Sequence, residues 1–193
     1  VAASIAVHAR SVAARLNGRA EAEGRDDRQV ATVGRLDLHP DLVNVVAGSA
    51  TMTVDLRNTD EGLLREAEAD VAAFVADLAA DEGVVVADRT LARFEPVAFD
   101  DRVVDIMADT AERLGHTVRR MPSGAGHDAQ MLARVCPTGM VFVPSRDGIS
   151  HNPAEHTDPD DLVAGADVLL QAIMALDGLA LDGPPPDRSE GGP

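Results

Sequence analysis

The order of periodicities in the first half of the chain limits its fold more than any other feature. Residues 1–24, opening VAASIAVHARSVAARL, repeat apolar positions at helical spacing and end near Gly24. RQVATVGRLDLH (28–39) and ATMTVDLRN (50–58) alternate at period two and are rich in Val and Thr, the signature of half-buried strands. In the second, Met52, Val54 and Leu56 share one face, and Thr51, Thr53, Asp55 and Arg57 the other. Thr59-Asp60 then caps a helix over 61–81, with Leu63, Leu64, Ala67, Val71, Phe74, Val75 and Leu78 on one stripe. Gly83 closes it, and VVVADRTLARFEPVAF (84–99) reads as a long strand.

The resulting order, α-β-β-α-β, is one strand short of βαββαβ, the ferredoxin-like split unit. Val1 also opens a helical pattern with no Ser, Thr, Asp or Asn before it to serve as a cap. Beyond Pro96, Asp100–Gly115 reads as a helix. An extended piece, a glycine loop and a helix from about His127 follow. TGMVFVPS (138–145) is an apolar run of the kind buried on both faces of a sheet. A helix over 159–177 turns Leu162, Ala166, Leu169, Leu170 and Ile173 inward, and PPPDRSEGGP is a disordered tail. The apolar strand has no companion in this half, so its sheet is expected upstream. The missing first strand, the uncapped start and the lone strand together predict a C-terminal part of a longer α/β protein.

The core must be aliphatic, because aromatics are 2% of the chain and Trp and Tyr are absent. Net charge is −16 and all 17 cations are Arg, which argues against nucleic acid or an anionic membrane as partner. One cysteine, Cys136, excludes an internal disulfide framework, and no apolar run reaches the length of a membrane span. A cytoplasmic protein is expected.

Three stretches carry residues suited to chemistry. In SGAGHDAQ (123–130), Gly124 and Gly126 allow close backbone approach, and His127 and Asp128 open a helix whose N–H groups favour an anion. An ordinary glycine turn with a helix cap is the competing reading. GISHNPAEHT leaves the apolar run where α/β sheets place ligand loops, and His151 on it is a candidate metal ligand or a plain surface histidine. His156 lies beyond a proline, off any shared helical face, and His116, His39 and His8 read as solvated. Asn44 in HPDLVNVV and Arg57 in VDLRN stand in or beside adjacent extended segments, and a guanidinium beside an amide suits a carboxylate. A salt-bridged strand arginine is the alternative.

HPDLVNVVAGSATMTVDLRN, SGAGHDAQM and MVFVPSRDGISHNPAEHT, at these separations, closely resemble the dinuclear zinc amidohydrolases related to aminoacylase and the co-catalytic zinc carboxypeptidases. Within them the chain resembles the branch of N-carbamoyl-L-amino-acid hydrolase, allantoate amidohydrolase and beta-ureidopropionase, over about residues 1–178. The resemblance implies a catalytic α/β domain holding two divalent metals, zinc first, with manganese or cobalt as alternatives. It also implies an inserted ferredoxin-like domain that forms a homodimer. Residues 1–95 correspond to most of the inserted domain, 96–180 to the returning end of the catalytic domain, and 181–193 to the tail.

By position, the resemblance makes His151 a metal ligand and Asn44 and Arg57 binders of the substrate's carboxylate. Gly126 and His127 become further contacts to a small carbamoyl or ureido substrate. The family's His-x-Asp motif, bridging Asp, Glu-Glu pair, further metal-binding His and inserted-domain His have no counterpart here. The general-base Glu is expected upstream of Val1, so no catalytic residue is assigned within the chain. A peptidase or N-acyl deacylase with the same metals is the rival activity, and a non-catalytic dimerisation module is the rival role.

Overall fold

The structure, a computed structural model, describes residues 1–177, so the tail lies outside the described residues. The chain forms two compact units, Val1–Pro96 and Val97 onward.

In the first unit, helix α1 (Ala2–Ala22) and helix α2 (Glu61–Glu82) pack beside an antiparallel pair, β1 (Val30–His39) and β2 (Ser49–Arg57). α1 buries Ile5, Ala9, Val12, Leu16 and Ala20, a three-to-four-residue stripe. Val12 and Leu16 meet Leu63 and Ala67 of α2, with Leu56 of β2 and Val71 against the same cluster. α1 starts at Val1 without a side-chain cap. α2 is capped at both ends: Asp60 Oδ1 accepts from the Leu63 amide at 2.7 Å, and Gly83 closes the helix at φ 64°.

The strand register runs from Val30 opposite Arg57 to His39 opposite Ser49. It shifts between Thr32 and Arg35, where Val33 and Gly34 face Val54 alone. This is a β-bulge at the glycine that interrupts the alternation.

The expected strand over 84–99 is absent; the segment runs without regular structure. An extended segment becomes a strand only when a neighbour supplies the ladder, and among the described residues none does. Arg93 instead ties it to α2, reaching Glu61 at 2.9 Å and Glu68 at 3.0 Å.

The second unit contains helix α3 (Asp101–Arg113), the one-turn helix α4 (Asp128–Leu132) and helix α5 (Pro159–Asp177). The apolar run 138–145, expected as a buried strand, also lacks a ladder and lies against the helices. A Cβ added at Gly139 would stand 3.0 Å from Val103 Cγ1 and Met107 Sδ of α3, and one added at Gly165 of α5 would stand 2.3 Å from Val143 Cγ1. The inward set expected for α5 is also wrong. Leu162, Leu169, Leu170 and Ile173 are 45–55% exposed and Ala166 is exposed, while Val168 and Ala172 are buried. α5 turns its small-residue face, Gly165, Val168 and Ala172, inward, and that face admits the closest approach. No helix among the described residues is long and apolar enough to cross a membrane.

Candidate functional site

The loop after Val143 is tied together by its own residues. A 3-10 turn at Arg146–Gly148 passes through Asp147 at φ 57°, and the Ser145 hydroxyl donates to the Ile149 carbonyl. The Arg146 amide donates to the His156 carbonyl at 2.8 Å, and its guanidinium reaches Asp158 Oδ1 at 2.7 Å. His156 Nε2 lies 3.1 Å from the same carboxylate oxygen, so this imidazole serves as a fastener for the loop.

Within that frame His151 sits at φ 56°, a left-handed conformation that costs a non-glycine residue roughly 1–2 kcal/mol. Its amide donates to Glu155 Oε2 at 2.8 Å. Asn152 Oδ1 accepts from the Ala154 amide, and the Glu155 amide donates to the Asn152 carbonyl, both at 2.9 Å, closing the turn around Pro153. The His151 ring is exposed and makes no hydrogen bond or ion pair among the described residues. An uncommitted imidazole on a fastened backbone fits one donor of a metal site. It does not make a whole site: no group of three or more His, Cys, Asp or Glu that could hold a metal occurs among the described residues.

His127 has a different local task. It caps α4, its Nδ1 accepting from the Ala129 amide at 3.0 Å. Nδ1 is therefore unprotonated, and a neutral ring carries its proton on Nε2, a donor on an exposed residue. The expectation that the helix start favours an anion is not met. α4 has five residues, and the Ala129 N–H is already taken by His127. Gly124 and Gly126 are exposed, and a Cβ at either would meet nothing within 4 Å, so neither is glycine for steric reasons within this chain.

Arg57 closes β2 and donates through Nε to Asp55 Oδ1 at 2.9 Å and through Nη2 to Oδ2 at 2.7 Å. The paired hydrogen bonds, helped by charge attraction and opposed by partial burial, hold the Asp55 carboxyl below its ordinary range and raise the Arg57 guanidinium. Asn44 lies in the loop at the opposite end of the hairpin. Nine strand residues, roughly 27 Å, run from the end of that loop to Arg57. Asn44 therefore lies beside two adjacent extended segments, as expected, but not next to the Arg57 guanidinium within one chain. They belong to the first unit, whereas Gly126, His127 and His151 belong to the second.

Two features escaped the sequence reading. His8, expected to be solvated, stacks on Phe74 with ring centroids 3.8 Å apart and planes 5° apart. Its Nε2 lies 2.6 Å from Asp70 Oδ1, and Arg15 reaches Oδ2 of the same carboxylate at 2.7 Å. The spacing of His8 from α1's buried positions, three from Ile5 and one from Ala9, was the available signal. Glu155 is the second; its placement four residues after His151 across a proline could have identified it as a turn-closing acceptor.

Curated relatives match most of the chain. It is 41% identical over 151 residues to N-carbamoyl-L-amino-acid amidohydrolase of Paenarthrobacter aurescens, covering 78% of this chain and 37% of the relative. It is 40% identical over 160 residues to allantoate amidohydrolase of Escherichia coli, covering 81% and 38%. An amidase of the hydantoinase/carbamoylase family from Burkholderia multivorans superposes with a TM-score of 0.72 at 41% identity, over 88% of this chain and 41% of that one. The chain thus spans about two fifths of the length of these proteins. The sequence pattern of peptidase family M20/M25/M40 matches residues 12–175, and the chain belongs to that family.

Proposed function

We propose that the protein carrying this chain is a metal-dependent amidohydrolase acting on a linear amide or ureido C–N bond. Its substrate class is N-carbamoyl-L-amino acids, allantoate or ureidopropionate. The observation that carries this reading is the pair of relatives at 40–41% identity, both named for ureido or carbamoyl C–N hydrolysis, whose matches cover about four fifths of the chain.

In this reading residues 1–95 form the ferredoxin-like dimerisation domain and 96–180 the end of the catalytic domain, in a cytoplasmic homodimer. Two divalent metals, zinc first, would lower the pKa of a bound water toward about 7 for attack on the carbonyl carbon. His151 supplies one imidazole to hold a metal. His127 offers its Nε2–H to the substrate oxygen on which charge develops. Gly126 leaves room beside it for the substrate. Arg57 grips the substrate carboxylate, redirecting part of the guanidinium fork now turned to Asp55. Asn44 is the second candidate contact to the substrate, from the hairpin tip. The general base comes from outside this chain.

The test is hydrolysis by the intact gene product, metal-loaded, of an N-carbamoyl-L-amino acid, allantoate and ureidopropionate, with N-acyl amino acids and dipeptides as controls. Turnover of a ureido substrate is expected. Turnover of the controls alone would move the protein to the deacylase and peptidase side of the family. The 193-residue chain by itself is expected to hold no zinc tightly, because a catalytic zinc takes about three protein ligands and the described residues offer no such group.

A further inference from the structure

We propose that Glu155 is a positioning residue for His151: it holds the backbone of that histidine in the left-handed conformation that presents the imidazole, and metal affinity depends on it. The proposal rests on the reading of His151 as a metal ligand.

The direction of a side chain is fixed first by the backbone that carries it. The backbone at His151 sets where its Cβ points, and φ 56° lies in the left-handed region that few non-glycine residues occupy. Among the described residues one side chain fastens that amide, Glu155 through Oε2 at 2.8 Å. Glu155 is itself fixed, because its own amide donates to the Asn152 carbonyl. Asn152 is locked by the Ala154 amide. The carboxylate therefore closes a ring of five residues, His151 to Glu155, with Pro153 stiffening the far side. Outside the ring, Arg146, His156 and Asp158 tie the two ends of the loop. The parts of the turn support one another, and the exposed His151 ring at its apex makes no hydrogen bond or ion pair among the described residues. Outer groups that orient a ligand in this way typically change metal affinity 10–100-fold when removed.

The experiment uses the intact protein loaded with cobalt(II). Metal dissociation constants come from chelator competition, ligand geometry from the visible spectrum at saturating cobalt, and fold from circular dichroism. His151→Ala is expected to lose one metal equivalent. Glu155→Ala is expected to weaken one metal by about tenfold or more and to alter the cobalt bands. Glu155→Gln, whose amide oxygen can still accept from His151, is expected to stay close to wild type in both.

Full metal content in His151→Ala would remove the ligand reading itself. Loss of a metal in His151→Ala with unchanged affinity and spectrum in Glu155→Ala would overturn the positioning role alone. Glu155→Gln behaving like Glu155→Ala would also overturn it, since the carboxylate would then act by its charge. Should Glu155→Ala lose its secondary structure, Glu155→Asp, one methylene shorter, carries the same expectation. Collapse of that variant too would make Glu155 a folding residue and end the proposal.

Discussion

Arg57 holds Asp55 through two parallel hydrogen bonds, Nε to Oδ1 at 2.9 Å and Nη2 to Oδ2 at 2.7 Å, from two positions further along the same strand. Residues i and i+2 share one face of a strand, so the pair is a consequence of sequence spacing. The pairing splints the fork, and under the proposed function a substrate carboxylate would meet a guanidinium with an anion already beside it. Arg57→Lys in the intact protein keeps the charge but loses the planar fork. It is expected to cost about 1.5–3 kcal/mol of binding, the range for hydrogen bonds to charged groups, read as roughly a 10- to 150-fold fall in kcat/KM. A change within twofold would take Arg57 out of the site.

The cap of α2 gives a pH prediction. Asp60 accepts from the Leu63 amide, and Arg25 reaches its other oxygen at 2.8 Å. The helix hydrogen bond first, then the arginine, hold its carboxyl below the ordinary value against the opposing effect of burial. Glu61 and Glu66 are lowered too, by Arg93 and Arg65 and by Arg19 and Arg15. Groups whose folded pKa is depressed contribute stability that is present above the unfolded value and is lost as pH falls through the folded one. Urea midpoints should therefore be flat near neutrality and fall in the acid range below the ordinary carboxylate pKa. Asp60→Ala should lower stability by about 1 kcal/mol at pH 7, with the difference from wild type shrinking as the pH drops. A difference that grows in acid would contradict the assignment.

Gly165 of α5 faces Val143 of the segment 138–145 with no room for a side chain between them. A Cβ on Gly165 would stand 2.3 Å from Val143 Cγ1, and valine is stiff at χ1, so the clash cannot be relieved by swinging a flexible tip. Alanine in a helix is favoured over glycine by about 1 kcal/mol, while overpacking costs about 1–3 kcal/mol. Gly165→Ala is thus expected to be net destabilising in thermal or urea unfolding, and adding Val143→Ala should recover most of the loss. Additive effects in that double-mutant cycle would deny the contact.

What the sequence made legible follows from how local each signal was. Helix α2 with its Asp60 and Gly83 caps, the β1–β2 pair and the start of α5 were readable because caps, alternation and helical period act over a few residues. The strands expected over 84–99 and 138–145 failed for one reason: apolar character makes a segment available for a sheet, but the ladder is supplied by a neighbour that no local window contains. α5 failed differently. Its most apolar stripe was read as the buried one, whereas α5 packs through Gly165, Val168 and Ala172, where small side chains permit close approach. His127 and His151 were singled out from their motifs alone. The capping by His127 and the grip of Glu155 on the His151 amide depend on backbone direction, which composition does not encode.

His8 tests the same lesson from the stability side. A histidine on α1 with no motif around it looked solvated, yet it lies flat against Phe74 and beside Asp70, and both partners come from α2. Stacked aromatic pairs contribute about 0.5–1.5 kcal/mol beyond their buried area, and a net hydrogen bond adds about 0.5–1.5 kcal/mol. His8→Ala is therefore expected to destabilise the chain by about 1–3 kcal/mol in urea unfolding at pH 7, and Phe74→Ala by a comparable amount. The double variant should cost less than the two losses added, because each single change already removes the stack. Under the proposed function, the same His8→Ala change in the intact protein should leave KM near wild type, since no proposed substrate or metal contact involves α1. A stability loss below about 0.5 kcal/mol, the usual scatter of surface substitutions, would return His8 to the solvated reading.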